Sequence, residues 1–241
     1  MQTPVSLDSI KDVSLYQKVN GYRFTIDSVL IADFVNKFMP ASILDVGAGT
    51  GIIGILLARK YTSSCISLLE VQHDLAVLSE RNVMHNGLEN QITVHNMGIE
   101  DTMNSPDFTP ASYDVIVSNP PFRVPSSGKI SPYDERAIAR HEIRMNAEVL
   151  MRSVSYLLKS RGYFYVIFHP FRLAEMFALM RKFTLEPKRA RFIYPDVLSE
   201  SKMVMVESIK GARQGMKIEK PLVIHKDGTT YTEEVERILR Q

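Results

Sequence analysis

The sequence predicts an α/β fold built on a doubly wound, mostly parallel sheet with helices on both faces. Two observations carry this. Strand-like and helix-like stretches alternate from residue 42 to about residue 194, the pattern of a parallel sheet crossed over by helices. The stretches that carry chemistry, Gly47 to Gly51, Glu70, the segment after Asn96 and Asn119 to Phe122, each follow directly on a strand. In such sheets ligands sit beyond the carboxyl ends of the strands, so these stretches converge on one edge.

Residues 1–20 show no clear periodicity. Asn20 to Asp27 reads as a turn, followed by an apolar-periodic helix through Phe38, with Asp27 or Ser28 as N-cap and Pro40 as its stop. Ser42 to Val46 is the first strand, Gly47 to Gly51 a turn and Ile52 to Tyr61 a helix. Ser64 to Glu70 is the second strand, and Asp74 to Asn86 a helix closed by Gly87. Gln91 to Asn96 is the third strand, Ser105 to Ser112 a polar loop and Tyr113 to Ser118 the fourth strand. Arg123 to Pro132 is rich in Pro, Ser and Gly and reads as a loop before a long helix, Asp134 to Lys159. Gly162 to Phe168 is the fifth strand, its aromatic run Tyr163 to Phe168 expected to be buried. Pro170 to Phe183 is a helix, with Pro170 tolerated at its start. Lys188 to Tyr194, Met203 to Ile209 and Pro221 to His225 are the last strand candidates. No helix separates the final two, which predicts an antiparallel pair. Tyr231 to Gln241 reads as a short helix.

A chain of 241 residues suits one domain with at most a modest appendage. No apolar stretch is long enough to span a membrane, and the N-terminus lacks the pattern of a secretory signal. Cys65 alone can form neither an internal disulfide nor a zinc site, and a cytoplasmic location is the default expectation. The net charge of +2 says little about partners. Its distribution says more. Arg181, Lys182, Lys188, Arg189, Arg191, Lys202, Lys210, Arg213, Lys217 and Lys220 cluster in the C-terminal third. Such a cluster reads as a polyanion-binding face or as a solvated basic surface.

Gly49, Gly51 and Gly54 fit G-x-G-x-x-G, and Glu70 lies near the distance of a ribose-binding acid. A dinucleotide would place its pyrophosphate here, but Asp45, at the end of the first strand, would repel it. Asp45 favours a cation instead. S-adenosylmethionine carries a sulfonium and an ammonium and no phosphate, so it suits this turn. Asp45 would act through water or backbone near its amino-acid end, and Glu70 would accept from the ribose hydroxyls.

Ser118-Asn119-Pro120-Pro121-Phe122 ends the fourth strand. Its two prolines lack N–H groups, fix their own φ and push the preceding residue out of the helical region. The stiff turn offers an amide (Asn119), a carbonyl (Pro120) and an aromatic face (Phe122), a set that can hold a flat, amine-bearing group. The plainer alternative is a loop with two prolines and a core phenylalanine.

ILDVGAGTGIIG resembles motif I, and SNPPF motif IV, of the class I S-adenosylmethionine-dependent methyltransferases that act on amino nitrogens. NGYRFTIDSVLIADF, PYDERAIARHE and KGARQGMKIEKPLVIH are similar to the bacterial tRNA1(Val) (adenine-37-N6)-methyltransferase family, over nearly the whole chain. The resemblance implies a Rossmann-like, seven-stranded sheet with an antiparallel last strand. It implies an N-terminal segment, residues 1–40, covering the cofactor site, and a methyltransferase domain at residues 41–241. It places Asp45, Gly47, Gly49, Gly51 and Glu70 on S-adenosyl-L-methionine, with Thr25 and Asp27 contacting its methionine end. Asn119, Pro120, Pro121 and Phe122 take the catalytic place. Two positions depart from the pattern. Gly98 stands where many class I enzymes have an aspartate, leaving the cofactor adenine to the backbone at Gly98 and Ile99 or to Asp101. Phe122 replaces the tyrosine frequent in adenine-N6 enzymes.

The implied reaction is in-line methyl transfer to an exocyclic amine in a tRNA anticodon loop, without metal, membrane or covalent nucleophile. Asn119 and Pro120 would accept the amine N–H groups, and Phe122 would stack on the base. Arg123, Arg136, Arg140 and His141 are candidates for phosphate contacts, whereas His169 reads as an ordinary core or surface histidine. A guanine-N2 ribosomal RNA methyltransferase and a glutamine-N5 protein methyltransferase share the NPP-aromatic motif, but they commonly carry extra N-terminal domains. A DNA adenine methyltransferase would bring a target-recognition domain. An RNA-binding protein on an inactive fold would not need the glycine turn, Glu70 and Asn119 together.

Overall fold

The computed structural model describes residues 4–20, 23–120 and 147–240. The chain opens with β1 (Val5–Ile10), β2 (Val13–Lys18) and α1 (Ile26–Phe34). An alternating series follows: β3 (Ser42–Val46), α2 (Ile52–Lys60), β4 (Cys65–Leu69), α3 (His73–His85), β5 (Ile92–His95), a 3-10 segment at Ile99–Asn104 and β6 (Tyr113–Ser118). Then come α4 (Ala147–Leu157), β7 (Leu158–Phe168), a 3-10 turn at Pro170–Arg172, α5 (Leu173–Lys182), β8 (Leu185–Tyr194) and β9 (Met203–Lys210). The two-residue strands β10 (Lys217–Ile218) and β11 (Leu222–Val223) precede α6 (Glu233–Arg240).

The seven longer strands lie in the order β8-β9-β7-β6-β3-β4-β5, with β10 and β11 on the outer side of β8. All these pairings are parallel except those of β9, which runs antiparallel between β7 and β8. The last strand candidate corrects the expected pairing. Leu222 and Val223 pair parallel with Ile193 and Tyr194 of β8, not with β9. Both edges of β9 are already taken, so a later segment must pair elsewhere, and these take the outer edge of β8.

Side chains alternate across the sheet, and two cores result. Ile43, Val115, Val117 and Tyr165 face α1, α2 and α6. Leu44, Val46, Ile116, Phe164 and Phe168 face α4 and α5. Asp45 therefore points to the α2 side with Ile43. The aromatic run on β7 is buried as expected, from Phe164 to Phe168. Helix α4 ends at Leu157 and passes directly into β7, so the expected helix stops short of Lys159. The start of that helix and the loop Arg123 to Pro132 lie outside the described residues.

Helix α1 ends at Phe34, earlier than Phe38. Its terminal carbonyls are held by cations. Lys60 Nζ donates to Asp33 at 3.0 Å and Arg189 to Phe34 at 2.7 Å, while the Tyr61 hydroxyl donates to Val35 at 3.1 Å. Positive charge at this end also suits the helix dipole. Phe38 and Met39 then point to solvent, 82% and 75% exposed.

The basic cluster is largely committed to the fold. Arg189 pairs with Glu207 and Glu219, Arg191 with Glu234, Arg181 with Glu186 and Lys182 with Glu148. Lys188 and Lys210 donate to backbone carbonyls. Acids, invisible to a count of basic residues, thus pair with Arg181, Lys182, Arg189 and Arg191. No helix among the described residues is long and apolar enough to cross a membrane.

The first twenty residues, without visible periodicity, contain an antiparallel hairpin. It docks through Val13 and Leu15, both buried in the core, and through polar contacts. Asn82 Oδ1 accepts the Tyr16 N–H at 2.7 Å, and its Nδ2 donates to the Tyr16 carbonyl at 3.1 Å. Asn86 does the same with Ser14, at 3.2 Å and 2.8 Å. Four residues of helix rise about 6 Å and two residues of strand about 6.8 Å, so amides at these spacings meet alternate residues of β2.

Candidate active site

The glycine turn is tied to the ends of two strands. The N–H groups of Gly47 and Ala48 donate to the Leu69 carbonyl at 2.8 Å and 3.0 Å. Gly49 N–H donates to Glu70 Oε2 at 2.8 Å, and Gln72 N–H to Glu70 Oε1 at 2.8 Å. Glu70 is thereby fixed beside the turn. Gly51 precedes α2 with φ +88°, and an added Cβ would stand 2.6 Å from Ser79 Oγ. The Gly51→Ala variant is expected to lose roughly 1–3 kcal/mol from the left-handed backbone and the contact together. Denaturant unfolding should show a lower midpoint at unchanged slope.

Asp45 is fully buried beneath α2. Its Oδ2 accepts the Gly54 N–H at 3.0 Å, and its Oδ1 has no hydrogen-bond partner among the described residues. Burial raises its pKa to about 7; the Gly54 hydrogen bond opposes this and the charge of Glu70 adds to it. A cation above the turn would offset that burial. A pyrophosphate would worsen it, so the residues present fit a positively charged cofactor.

Strand β6 brings the second half of the site. The Ser118 hydroxyl donates to the Val46 carbonyl at 2.8 Å, locking the ends of β6 and β3 together. The strand order reverses between these two, the usual place of a ligand crevice. Asn119 is half-buried there, and its Nδ2 donates to Ser28 Oγ on α1 at 3.3 Å. Pro120 is buried. Pro121, Phe122, Arg123, Arg136, Arg140 and His141 lie outside the described residues.

At the start of α1 the cap position belongs to Thr25, ahead of the expected Asp27 or Ser28, which lie inside the helix. Thr25 Oγ1 donates to Asp27 Oδ2 at 3.0 Å. Burial raises the Asp27 pKa, opposed by that hydrogen bond. Beyond β5, the Ile99 side chain is buried in the α4-side core, and Asp101 is exposed with its N–H donated to the Gly98 carbonyl at 3.2 Å. His169 is an exposed histidine whose Nδ1 accepts the Phe171 N–H at 3.3 Å.

Sequence reasoning missed two contributors. Ser28 was read only as a possible cap, and its partner Asn119 lies 91 positions away. Asn82 donates to the Thr50 carbonyl at 2.9 Å, connecting the glycine turn to the hairpin. A polar residue inside an apolar-periodic helix is the one signal that would have singled it out.

The family model described as a methyltransferase small domain matches residues 25–183. The chain belongs to that family. A relative from Pedobacter heparinus, named tRNA1(Val) (adenine(37)-N6)-methyltransferase, is 30% identical over 174 residues, covering 72% of this chain and 70% of the relative. A Flavobacterium psychrophilum protein of the same name is 28% identical over 231 residues, covering 94% of each. The crystal structure of a predicted O-methyltransferase from Agrobacterium tumefaciens superposes with a TM-score of 0.71 at 19% identity, over 88% of this chain and 94% of that one. At that identity the superposition shows the fold, that of a class I methyltransferase. This family member is an S-adenosyl-L-methionine-dependent methyltransferase.

Proposed function

We propose that this enzyme methylates N6 of an adenine in tRNA, position 37 of tRNA1(Val). The observation that carries the reading is the oriented Asn119 amide at the carboxyl end of β6, followed by two prolines and set beside the glycine turn. The names of the relatives supply the substrate. Asp45, Gly47, Gly49, Gly51, Glu70, Thr25, Asp27 and the segment Ile99 to Asp101 would hold the cofactor, with residues 1–40 covering it. Bound S-adenosylmethionine supplies a methyl group on a sulfonium.

The chain's own residues prepare the acceptor. An exocyclic amine is a poor nucleophile because its lone pair is delocalised into the ring. Asn119 Oδ1 and the Pro120 carbonyl each accept one N–H, which favours a pyramidal nitrogen with its lone pair directed at the methyl group. Phe122 stacks on the base and fixes its plane. Acceleration then comes from positioning and fixed dipoles. Neither an amide nor a carbonyl is basic enough to keep the amine proton, which leaves to water. The base must be unstacked to enter, and a loop nucleotide is already partly so. Arg123, Arg136, Arg140 and His141 would hold the flanking phosphates.

The test is methyl transfer from labelled cofactor to total tRNA, ribosomal RNA and protein in parallel, followed by nucleoside analysis. Label in tRNA as N6-methyladenosine is expected. Label in a release factor, or as N2-methylguanosine, overturns the assignment.

A further inference from the structure

We infer that Glu100 recognises the adenine of the cofactor by accepting an N–H of its exocyclic amine. This rests on placing the cofactor ribose at Glu70. Gly98, just after β5, is buried, and its φ of −78° and ψ of 154° are open to any residue. Its backbone therefore does not call for glycine. What a side chain would meet there does. A Cβ at position 98 would stand 2.5 Å from Glu100 Cδ and 2.6 Å from each of its carboxylate oxygens. Glycine leaves room for that carboxylate, which lies where a side chain of residue 98 would begin. Glu100 is exposed, and among the described residues its carboxylate makes no hydrogen bond or ion pair. It is thus not used to cap the 3-10 segment in whose first turn it sits.

The strand order supplies the ligand. Strands β6, β3, β4 and β5 lie side by side in that order. Methyl transfer opposite Asn119 puts the sulfonium near the ends of β6 and β3, and Glu70 puts the ribose beyond β4. The adenine extends from the ribose, away from the sulfonium. It therefore reaches the segment after β5, one strand spacing or about 4.8 Å further out. That segment is tied to the ribose acid. The Glu70 N–H donates to the His95 carbonyl at 3.0 Å, and Asn96 Nδ2 donates to the Glu70 carbonyl at 2.9 Å. An ionised carboxylate can only accept, so it favours a purine that presents an amine and disfavours one that presents a carbonyl. Its charge also makes the hydrogen bond stronger than a neutral acceptor would.

The test is calorimetric titration with S-adenosylhomocysteine and with its inosine counterpart, in which a carbonyl replaces the amine. The wild type should prefer the adenine compound by at least about tenfold, the value of one hydrogen bond to a charged group. Glu100→Gln can turn an NH2 towards a carbonyl, so its two affinities should be nearly equal, at an unchanged melting temperature. Gly98→Ala should push the carboxylate aside and shrink the preference too. Combined with Glu100→Ala it should cost nothing further, because the group it displaces is gone. Asp101→Asn should keep the wild-type preference. A wild type without preference, a Glu100→Gln variant that keeps it, or its loss in Asp101→Asn overturns the proposal. Glu70→Ala, titrated in parallel, should weaken both compounds equally. Unchanged affinities in Glu70→Ala refute the ribose placement, whereas the Glu100 variants decide the adenine assignment.

Discussion

Asn119→Ala should lower kcat by at least about 10²–10³-fold while leaving S-adenosylmethionine affinity near its wild-type value. That is the size of effect seen when a preorganised hydrogen-bonding group is removed from a reacting centre. The prediction separates two halves of the site. Asn119 meets α1 through Ser28, whereas Gly49, Glu70 and Asp45 are bonded among the glycine turn, β4 and α2. Truncating the amide thus removes the proposed acceptor for the amine and breaks no bond among Gly49, Glu70 and Asp45. Calorimetric titration with the cofactor and single-turnover methylation give the two quantities separately. Near-normal turnover in the variant would remove Asn119 from the mechanism.

The second large effect concerns pH. Asp45 has its folded-state pKa raised from 3.8 to about 7, first by burial. Between those values the unfolded chain is ionised at this position and the folded chain keeps the proton. The folded state binds more protons there, so stability without cofactor falls as pH rises through that window and levels off above about 7. The span corresponds to something on the order of 4 kcal/mol. A cationic cofactor favours the ionised form, so binding below pH 7 should expel the proton. Affinity should rise up to about tenfold per pH unit towards 7, then decline once the ligand's amino group deprotonates near about 8. Asp45→Asn should bind weakly and lose the rising limb. Titration at pH 6 in buffers of different ionisation enthalpy measures the released proton directly. Equal heats in all buffers would show that Asp45 is already ionised and that its burial is compensated elsewhere.

The central βαβ series was legible because its signals are local and periodic: the apolar strand Ser42 to Val46, the glycine turn and the helix stop at Gly87. Asp45 near the end of β3 and Glu70 directly after β4 were placed in the chain for the same reason. What escaped depended on partners distant in sequence. The hairpin at Val5 to Lys18 is held by side-chain amides of α3 as well as by its buried face, and six-residue strands give little period to read. The pairing of Leu222 with β8 followed from which edges were already occupied. The ion pairs within the basic cluster could not be read because the acids, Glu207 and Glu219 among them, come from other strands and loops.

The clasp made by Asn82 and Asn86 also bears on how this protein behaves at high concentration. An open strand edge is a template on which another chain can add a strand. At Ser14 and Tyr16 both backbone groups of β2 are already engaged by amides. An amide on a helix satisfies that edge but offers no continuing backbone of its own. Growth of the N-terminal ribbon into a larger intermolecular sheet is therefore closed on this side by hydrogen-bond chemistry, with no need for bulk to cover it.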